Sequence, residues 1–546
     1  MGKVKRFVSQ ANKQLTVKFA ATLLASSTLV SAVLGIYRDR VLNTLYLDTY
    51  KVGLDAYTVA FIVPDFMLTI LVSGALSVTF IPVFNQRFSN GNKKSAWQMS
   101  SSLINLMAIV TLLTSVLIII FADPLVRYIV GPGLDESGHG LAVSMMRVIA
   151  VNPFLFAIAS VIAGMQQAVG RFTFFALSPA LYNLGIIIGA LVLTNGITIG
   201  GWQLFEGGIM GVALGVVLGS VLQLIVSSVG LLGLGFNYEF KIHWRNKGFR
   251  KVLQLLPSRS LDQGADYLNS IVETNLASRM AEGTIRSYQQ ATTLHFMPIN
   301  LIGVAISNAA FPNMTQRLSQ GRDDLFRKEF QTILRVIVWL ALPVAAVTFF
   351  ARGYVVNFIK NGGDYLIASL LGILVLAIIF RSIYHILARS FYAHQDTKTP
   401  LYVSIFAIAL NITLAIWFTT ALDMGVYGLA WAQSLVAIVE VVILFIILSR
   451  AIINPFTIEF WHATGRMLVA STLTGLICYA AVAVMPLTAE DASFSATFPK
   501  FLAIVAVSSL VYIGSSRVLG IKESEPVLRI TRKILFGKLF RSGKRQ

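Results

Sequence analysis

The sequence predicts an all-α integral membrane protein with about 14 transmembrane helices, built as two parallel six-helix repeats followed by two C-terminal helices. Three observations carry that expectation. The composition is apolar along its whole length, a phrase from the first half returns in the second, and the basic residues are unevenly distributed between alternate loops.

Of 546 residues, 56% are hydrophobic and only 13% are charged, with a mean hydropathy of +0.73. Soluble domains carry roughly 25% charged residues, so an ordinary soluble globule is excluded. Apolar windows of about 20 residues recur, each able to cross roughly 30 Å of hydrocarbon as a helix. In chain order the spans are expected near 16–46, 54–84, 97–121, 141–168, 173–194, 207–234 and 249–277. The remainder are expected near 284–312, 328–349, 364–388, 398–420, 425–449, 464–486 and 497–516. The two longest require a tilt, a kink or a projecting end.

The phrase Ile81-Pro82-Val83-Phe84-Asn85-Gln86-Arg87-Phe88-Ser89-Asn90-Gly91 returns as Phe311-Pro312-Asn313-Met314-Thr315-Gln316-Arg317-Leu318-Ser319-Gln320-Gly321. The Pro, Gln-Arg, Ser and Gly recur at an offset of about 230 residues. Pro64 and Pro298 lie mid-span in the second helix of each half, and Asn183 and Asn411 at similar depth in the fifth. Six spans precede the linker, an even number, so the second half enters the membrane in the orientation of the first. The expected divisions are an N-terminal half at 1–236, a cytoplasmic linker at 237–250 and a C-terminal half at 251–450. Two extra spans follow at 451–517, and a basic amphipathic tail at 518–546. Within the tail, 526–541 mixes Leu, Ile and Val with Arg and Lys, as does a helix lying on anionic lipid.

A net charge of +19 raises the question of nucleic acid, and position answers it. Lys3, Lys5, Arg6, Lys93, Lys94, Lys241, Arg245, Lys247, Arg250, Lys251, Arg322, Arg327 and Lys328 all fall in tails or loops on one side. This is the positive-inside pattern, which places both termini in the cytoplasm and assigns the charge to topology rather than to nucleic acid. Cys478 is the single cysteine, so no intramolecular disulfide forms. The N-terminal apolar run exceeds a signal-peptide core and reads as an uncleaved first span.

Charge inside hydrocarbon is costly, and each such residue is a candidate for function. Arg38 and Asp39 sit in the outer third of the first span, where Arg38 can offer a guanidinium fork to a phosphate or the two can form an interfacial ion pair near the outer membrane surface. Asp55 opens the second span, either as a partner for Arg38 or Arg40 or as a helix-start carboxylate. Arg259, Asp262 and Asp266 share one face of the seventh span. That face reads equally as a structural Arg–Asp pair or as a proton or sodium site, with Asn411 as an oxygen ligand. Arg147, His295, Arg381, His385 and Glu440 are further intramembrane polar groups without an assigning pattern. Gly211, Gly215 and Gly219 form a ridge for close helix packing. No P-loop, HExxH or GxSxG occurs and the six His are scattered, so neither an enzyme, a metal site nor a resident cofactor is expected.

Several stretches resemble the MurJ (MviN) family of lipid II flippases, in the multidrug/oligosaccharidyl-lipid/polysaccharide exporter (MOP) superfamily. They are Leu34, Gly35, Arg38 and Asp39; Leu54-Asp55-Ala56-Tyr57-Thr58-Val59-Ala60-Phe61 with Pro64; and Gly74, Ala75 and Pro82. Gly303, Val304, Ala305 and Pro312 continue the match, as does Phe391-Tyr392-Ala393-His394-Gln395-Asp396-Thr397-Lys398-Thr399-Pro400 before the eleventh span. The resemblance implies fourteen spans, residence in the bacterial cytoplasmic membrane and export of a polyprenyl-pyrophosphate-linked peptidoglycan precursor by alternating access. Arg38, Asp39 and Asp55 match functional positions of the family, whereas its other cavity arginines align with Ala32, Leu68 and Thr293. Arg259, Arg147 or Arg381 supplies the missing charge, or the substrate differs. A negative interior favours outward movement of a doubly charged anion by about 4–5 kcal/mol per 100 mV. Lipid II or a similar lipid and the membrane are the expected partners, with cell-wall synthases as candidate companions. The alternatives are a flippase for another polyprenyl-linked oligosaccharide, a cation-coupled exporter and a scaffold for cell-wall enzymes.

Overall fold

The computed structural model describes residues 12, 17–73, 80–199, 202–451 and 457–525. Gly74, Ala75 and the basic segment 526–541 lie outside the described residues. The chain packs as two compact units, Met1–Arg286 and Ser287–Gln546. This division follows packing within each unit and is distinct from the sequence repeat.

The first unit contains α1 (Val17–Tyr46), α2 (Lys51–Leu68), α3 (Ile81–Ser89), α4 (Lys93–Pro124), α5 (Glu136–Ile149), α6 (Asn152–Ala168) and α7 (Thr173–Leu191). A short antiparallel hairpin follows, β1 (Ile197–Ile199) on β2 (Trp202–Phe205), a small exception to an otherwise helical fold. Then come α8 (Met210–Val229), α9 (Lys247–Ser278) and the first turn of α10 (Thr284–Ile299). Beyond Arg286 the second unit holds α11 (Ala305–Ser319), α12 (Asp323–Phe350), α13 (Arg352–Ile359), α14 (Tyr365–Ala393) and α15 (Lys398–Ile416). It ends with α16 (Val426–Ala451), α17 (Ile458–Val484) and α18 (Phe494–Val518).

Among the described residues, twelve helical segments are long and apolar enough to cross a membrane. The expected first and seventh spans are also helices, α1 and α9, but are not among the twelve. In α9 the reason is charge: Lys247, Arg250, Lys251, Arg259, Asp262, Asp266 and Glu273 fall within one helix. The expected fourth span is α5 and α6 joined near Ala150, where Pro153 takes a first-turn position that needs no N–H.

The repeated phrase folds alike both times. Each copy follows a proline-bearing helix and a short π-helical stretch, Thr69–Ser73 after α2 and Asn300–Val304 after α10. In the first copy the Asn92 N–H returns to the Arg87 carbonyl at 3.1 Å and the Gly91 N–H to Phe88 at 3.3 Å. In the second, Arg322 N–H returns to Arg317 at 3.0 Å and Gly321 N–H to Leu318 at 2.9 Å. Both are Schellman ends, in which the residue after the helix takes a left-handed conformation that glycine tolerates without a Cβ clash. Gly91 has φ +79° and Gly321 φ +68°, which is why the glycine recurs.

The glycine ridge on α8 acts in packing. A Cβ on Gly215 would lie 2.5 Å from Gly189 Cα, and one on Gly219 would lie 2.4 Å from the Tyr182 carbonyl, so α7 and α8 touch through backbone. The first unit's core gathers Phe80, Phe84, Trp97, Met99 and Phe249. In the second, Phe326, Phe330, Trp339, Phe391 and Tyr512 share one cluster. Tyr512 donates to the Trp339 carbonyl at 2.6 Å and Trp339 Nε1 to Ser516 Oγ at 3.1 Å, fastening α18 to α12.

Candidate functional site

The first unit buries a charged network where α1 meets α2, α7 and the start of α10. Arg38 donates from Nε (3.2 Å) and Nη2 (3.0 Å) to Asp39 Oδ1, and from Nη1 to Asn183 Oδ1 at 3.1 Å. Asn183 is itself held on α7, its Nδ2 donating to the Ser31 carbonyl (3.1 Å) and to Pro179 O (3.3 Å). Arg286 donates from Nη2 to the same Asp39 oxygen at 3.2 Å and from Nε to Asn43 Oδ1 at 2.9 Å. Two guanidinium groups therefore converge on one carboxylate oxygen. Tyr57, Asp65 and Tyr182 lie within electrostatic reach of Arg38.

Exposure separates the members. The side chains of Asp39 and Arg286 are 8% and 4% exposed, whereas Arg38 retains 25%. A guanidinium has five N–H donors, and the three bonds above leave two for an outside acceptor. Arg38 is the member able to meet a ligand; Asp39 and Asn183 hold it in place.

Asp55 has a different position from the one expected. α2 begins at Lys51, a turn before Asp55, so this carboxylate does not cap its own helix. Instead its two oxygens accept the backbone N–H groups of Gly283 (2.6 Å) and Arg286 (2.8 Å), capping the start of α10 from outside. Asp55 thereby fixes the backbone of Arg286, whose side chain reaches Asp39. Arg286 escapes notice in the sequence because it reads as an interfacial charge at a span edge. One signal was available: a cation in a helix's first turn opposes the helix dipole and calls for a carboxylate partner.

Arg259, Asp262 and Asp266 lie on α9, but the side chains of 255–266 are outside the described residues. Asn411 is buried on α15, in the second unit. Arg147 is exposed on α5, donating to the Ile119 carbonyl at 3.3 Å. Arg381 and Glu440 pair at 3.2 Å in the second unit, with Ser404 Oγ donating to the other glutamate oxygen at 3.1 Å. Glu440 is 1% exposed, and the pair ties α14, α15 and α16 together. His295 is buried in the same unit.

The profile of the lipid II flippase MurJ family matches residues 50–500. A Bdellovibrio bacteriovorus protein named probable lipid II flippase MurJ is 25% identical over 441 residues, 79% of this chain and 82% of its own. Its namesake in Thermotoga maritima is 24% identical over 512 residues, 92% and 96% of the two chains. A solved lipid II flippase MurJ in an inward closed conformation superposes with a TM-score of 0.72 at 21% identity, covering 95% of this chain and all of that one. An inward-facing multidrug resistance MATE family transporter of the MOP superfamily gives 0.64 at 16% identity, covering 79% of this chain and 98% of that one. With a multi-pass helical fold and a family match over most of its length, this chain belongs to the lipid II flippase MurJ family, and is a membrane transporter rather than an enzyme.

Proposed function

We propose that this chain flips lipid II, the lipid-linked peptidoglycan precursor, from the inner to the outer leaflet of the bacterial cytoplasmic membrane by alternating access. The observation that carries the reading is the partly exposed Arg38, held by Asp39 and Asn183 with two N–H donors to spare inside an apolar helical unit. Free guanidinium donors on a fixed backbone suit the diphosphate of a polyprenyl-linked sugar. Asp39 and Asp55 serve that group by position: one pairs with both arginines and leaves a net positive charge, the other sets the backbone of Arg286. Arg259 is a further candidate cation for the substrate, and Asp262 and Asp266 on α9 are candidates either for proton or sodium coupling or for a structural pair with it, with Asn411 on α15 a separate candidate oxygen ligand.

The same reading counts fourteen spans, adding α1 and α9 to the twelve, in two parallel six-helix repeats at 1–236 and 251–450 with both termini cytoplasmic. The matched Schellman turns after α3 and α11 support it. So does the crowding of Lys and Arg into alternate loops.

The test is outward lipid II translocation in bacteria depleted of their own flippase and expressing this chain or Arg38→Ala. Restored flipping by the wild type and failure of the variant, both reaching the membrane at equal levels, is the expected result. Failure of both moves the substrate to another polyprenyl-linked oligosaccharide, the reading that uncharged Ala32, Leu68 and Thr293 favour. Equal rescue by both keeps the flippase reading and removes Arg38 from the substrate site.

A further inference from the structure

The linker that joins α8 to α9 is docked along α4. Asn105 Nδ2 donates to the carbonyls of Glu239 (2.9 Å) and Lys241 (3.2 Å). Ser101 Oγ accepts the Glu239 N–H at 3.2 Å, and Ser102 Oγ the His243 N–H at 2.8 Å. At its far end Asn246 donates to the Ser95 carbonyl at 3.0 Å, while its Oδ1 accepts the Gly248 and Phe249 N–H groups and starts α9. Arg250 Nε donates to the Trp244 carbonyl at 2.7 Å. The row of small polar residues on α4 thus has a purpose: it supplies partners for linker backbone that no sheet or helix satisfies.

This docked linker and the α3–α4 corner line an open cavity of about 680 Å3. Four cations line it, Arg87, Lys241, Arg245 and Lys247, and no carboxylate does. His243 lines it too, with its ring bonded to the Glu239 carboxylate at 2.6 Å. Arg87 is held by Ser95 Oγ at 2.9 Å. Among the described residues, Lys241, Arg245 and Lys247 have no hydrogen-bond or ion-pair partner for their charged ends. Like charges gathered on pinned backbone repel one another, and a multivalent oxyanion relieves that repulsion without first ordering a loop. The volume lies within the roughly 300–1,000 Å3 of small-molecule sites.

We propose that this cavity is a binding site for a phosphate-bearing anion, separate from the Arg38 network and independent of the transported substrate. Phosphate oxygens match both the arginine forks and the lysine point charges. The same chemistry is offered by a free pyrophosphate and by the head group of an anionic phospholipid.

The experiment uses the full chain in neutral detergent, titrated calorimetrically with inorganic pyrophosphate. It compares wild type with K241Q/R245Q/K247Q and with R322Q/R327Q/K328Q, which removes equal charge from the start of α12. In parallel, each protein is placed in phosphatidylcholine nanodiscs containing phosphatidylglycerol, and retained phosphatidylglycerol is counted by native mass spectrometry. A soluble ligand predicts pyrophosphate binding weakened at least tenfold in the linker variant and unchanged in the control. A lipid ligand predicts loss of retained phosphatidylglycerol in the linker variant alone. Equal losses in both variants, or no difference from wild type with either probe, overturn the proposal. Should the triple variant elute as aggregate, K241Q and R245Q singly are read by the same criteria.

Discussion

Asp39 accepts a 3.2 Å hydrogen bond from Arg286, 247 residues further along the chain, through the same oxygen that receives Arg38. An aspartate in an apolar helix is costly alone, and so is each arginine; together they are tolerable because every charge has a partner.

Removing the shared acceptor is therefore expected to be the most damaging change in the network. Asp39→Ala leaves two cations on one uncompensated site, and breaking a buried pair costs about 3–5 kcal/mol. Thermal unfolding of the purified protein checks this: Asp39→Ala should fall well below Arg38→Ala, because Arg38 is partly exposed and can turn to water. Equal losses would contradict the shared-acceptor geometry.

Asp55 gives a separable prediction. Asp55→Ala deprives two backbone N–H groups of their acceptor and should lower stability by about 1–3 kcal/mol, the range for a buried donor left unmet. Asp55→Asn keeps one good acceptor and should recover part of the loss. If alanine and asparagine variants unfold at the wild-type temperature, the cap contributes nothing.

At Gly215 the expected effect is steric. A methyl group there meets the Gly189 backbone at 2.5 Å and must push α7 from α8, so Gly215→Ala should reduce the yield of folded protein and Gly215→Leu abolish it. Gly140→Ala, where a Cβ meets nothing within 4 Å, is the control. Monodisperse protein recovered after detergent extraction is the readout.

The loop before α18 predicts an acid limb. Lys500 Nζ (2.7 Å) and the Thr488 N–H (2.8 Å) hold Asp491 in its charged form, taking its pKa down from 3.8 to about 2. A carboxylate lowered in the folded state stabilises fully above its unfolded pKa, and that contribution fades as pH falls from about 4 through about 2. Unfolding temperatures of wild type and Asp491→Asn should differ at pH 6 and converge toward pH 2. A constant difference across that range would sink the assignment.

Much of this architecture was legible in the chain. Hydrophobic length located the helices, because crossing hydrocarbon needs about 20 apolar residues whatever their neighbours. The recurrence of Gly91 and Gly321 was legible too, but that each ends a helix in a left-handed turn was shown only by the backbone. Arg38, Asp39 and Asp55 stood out as charges in apolar surroundings, but their partners did not. Arg286 lies at a span edge where cations are common, and Asn183 showed itself only as a counterpart of Asn411.

The sequence by itself determined that the chain is membrane-embedded, helical and internally similar, because those properties follow from local composition and spacing. Only the tertiary structure decided that Asp55 caps the start of another helix, that Asp39 serves two arginines and that the linker lines a cationic cavity. Those depend on contacts between residues far apart in the chain, whose geometry is set by helix packing and leaves no periodic trace in the sequence.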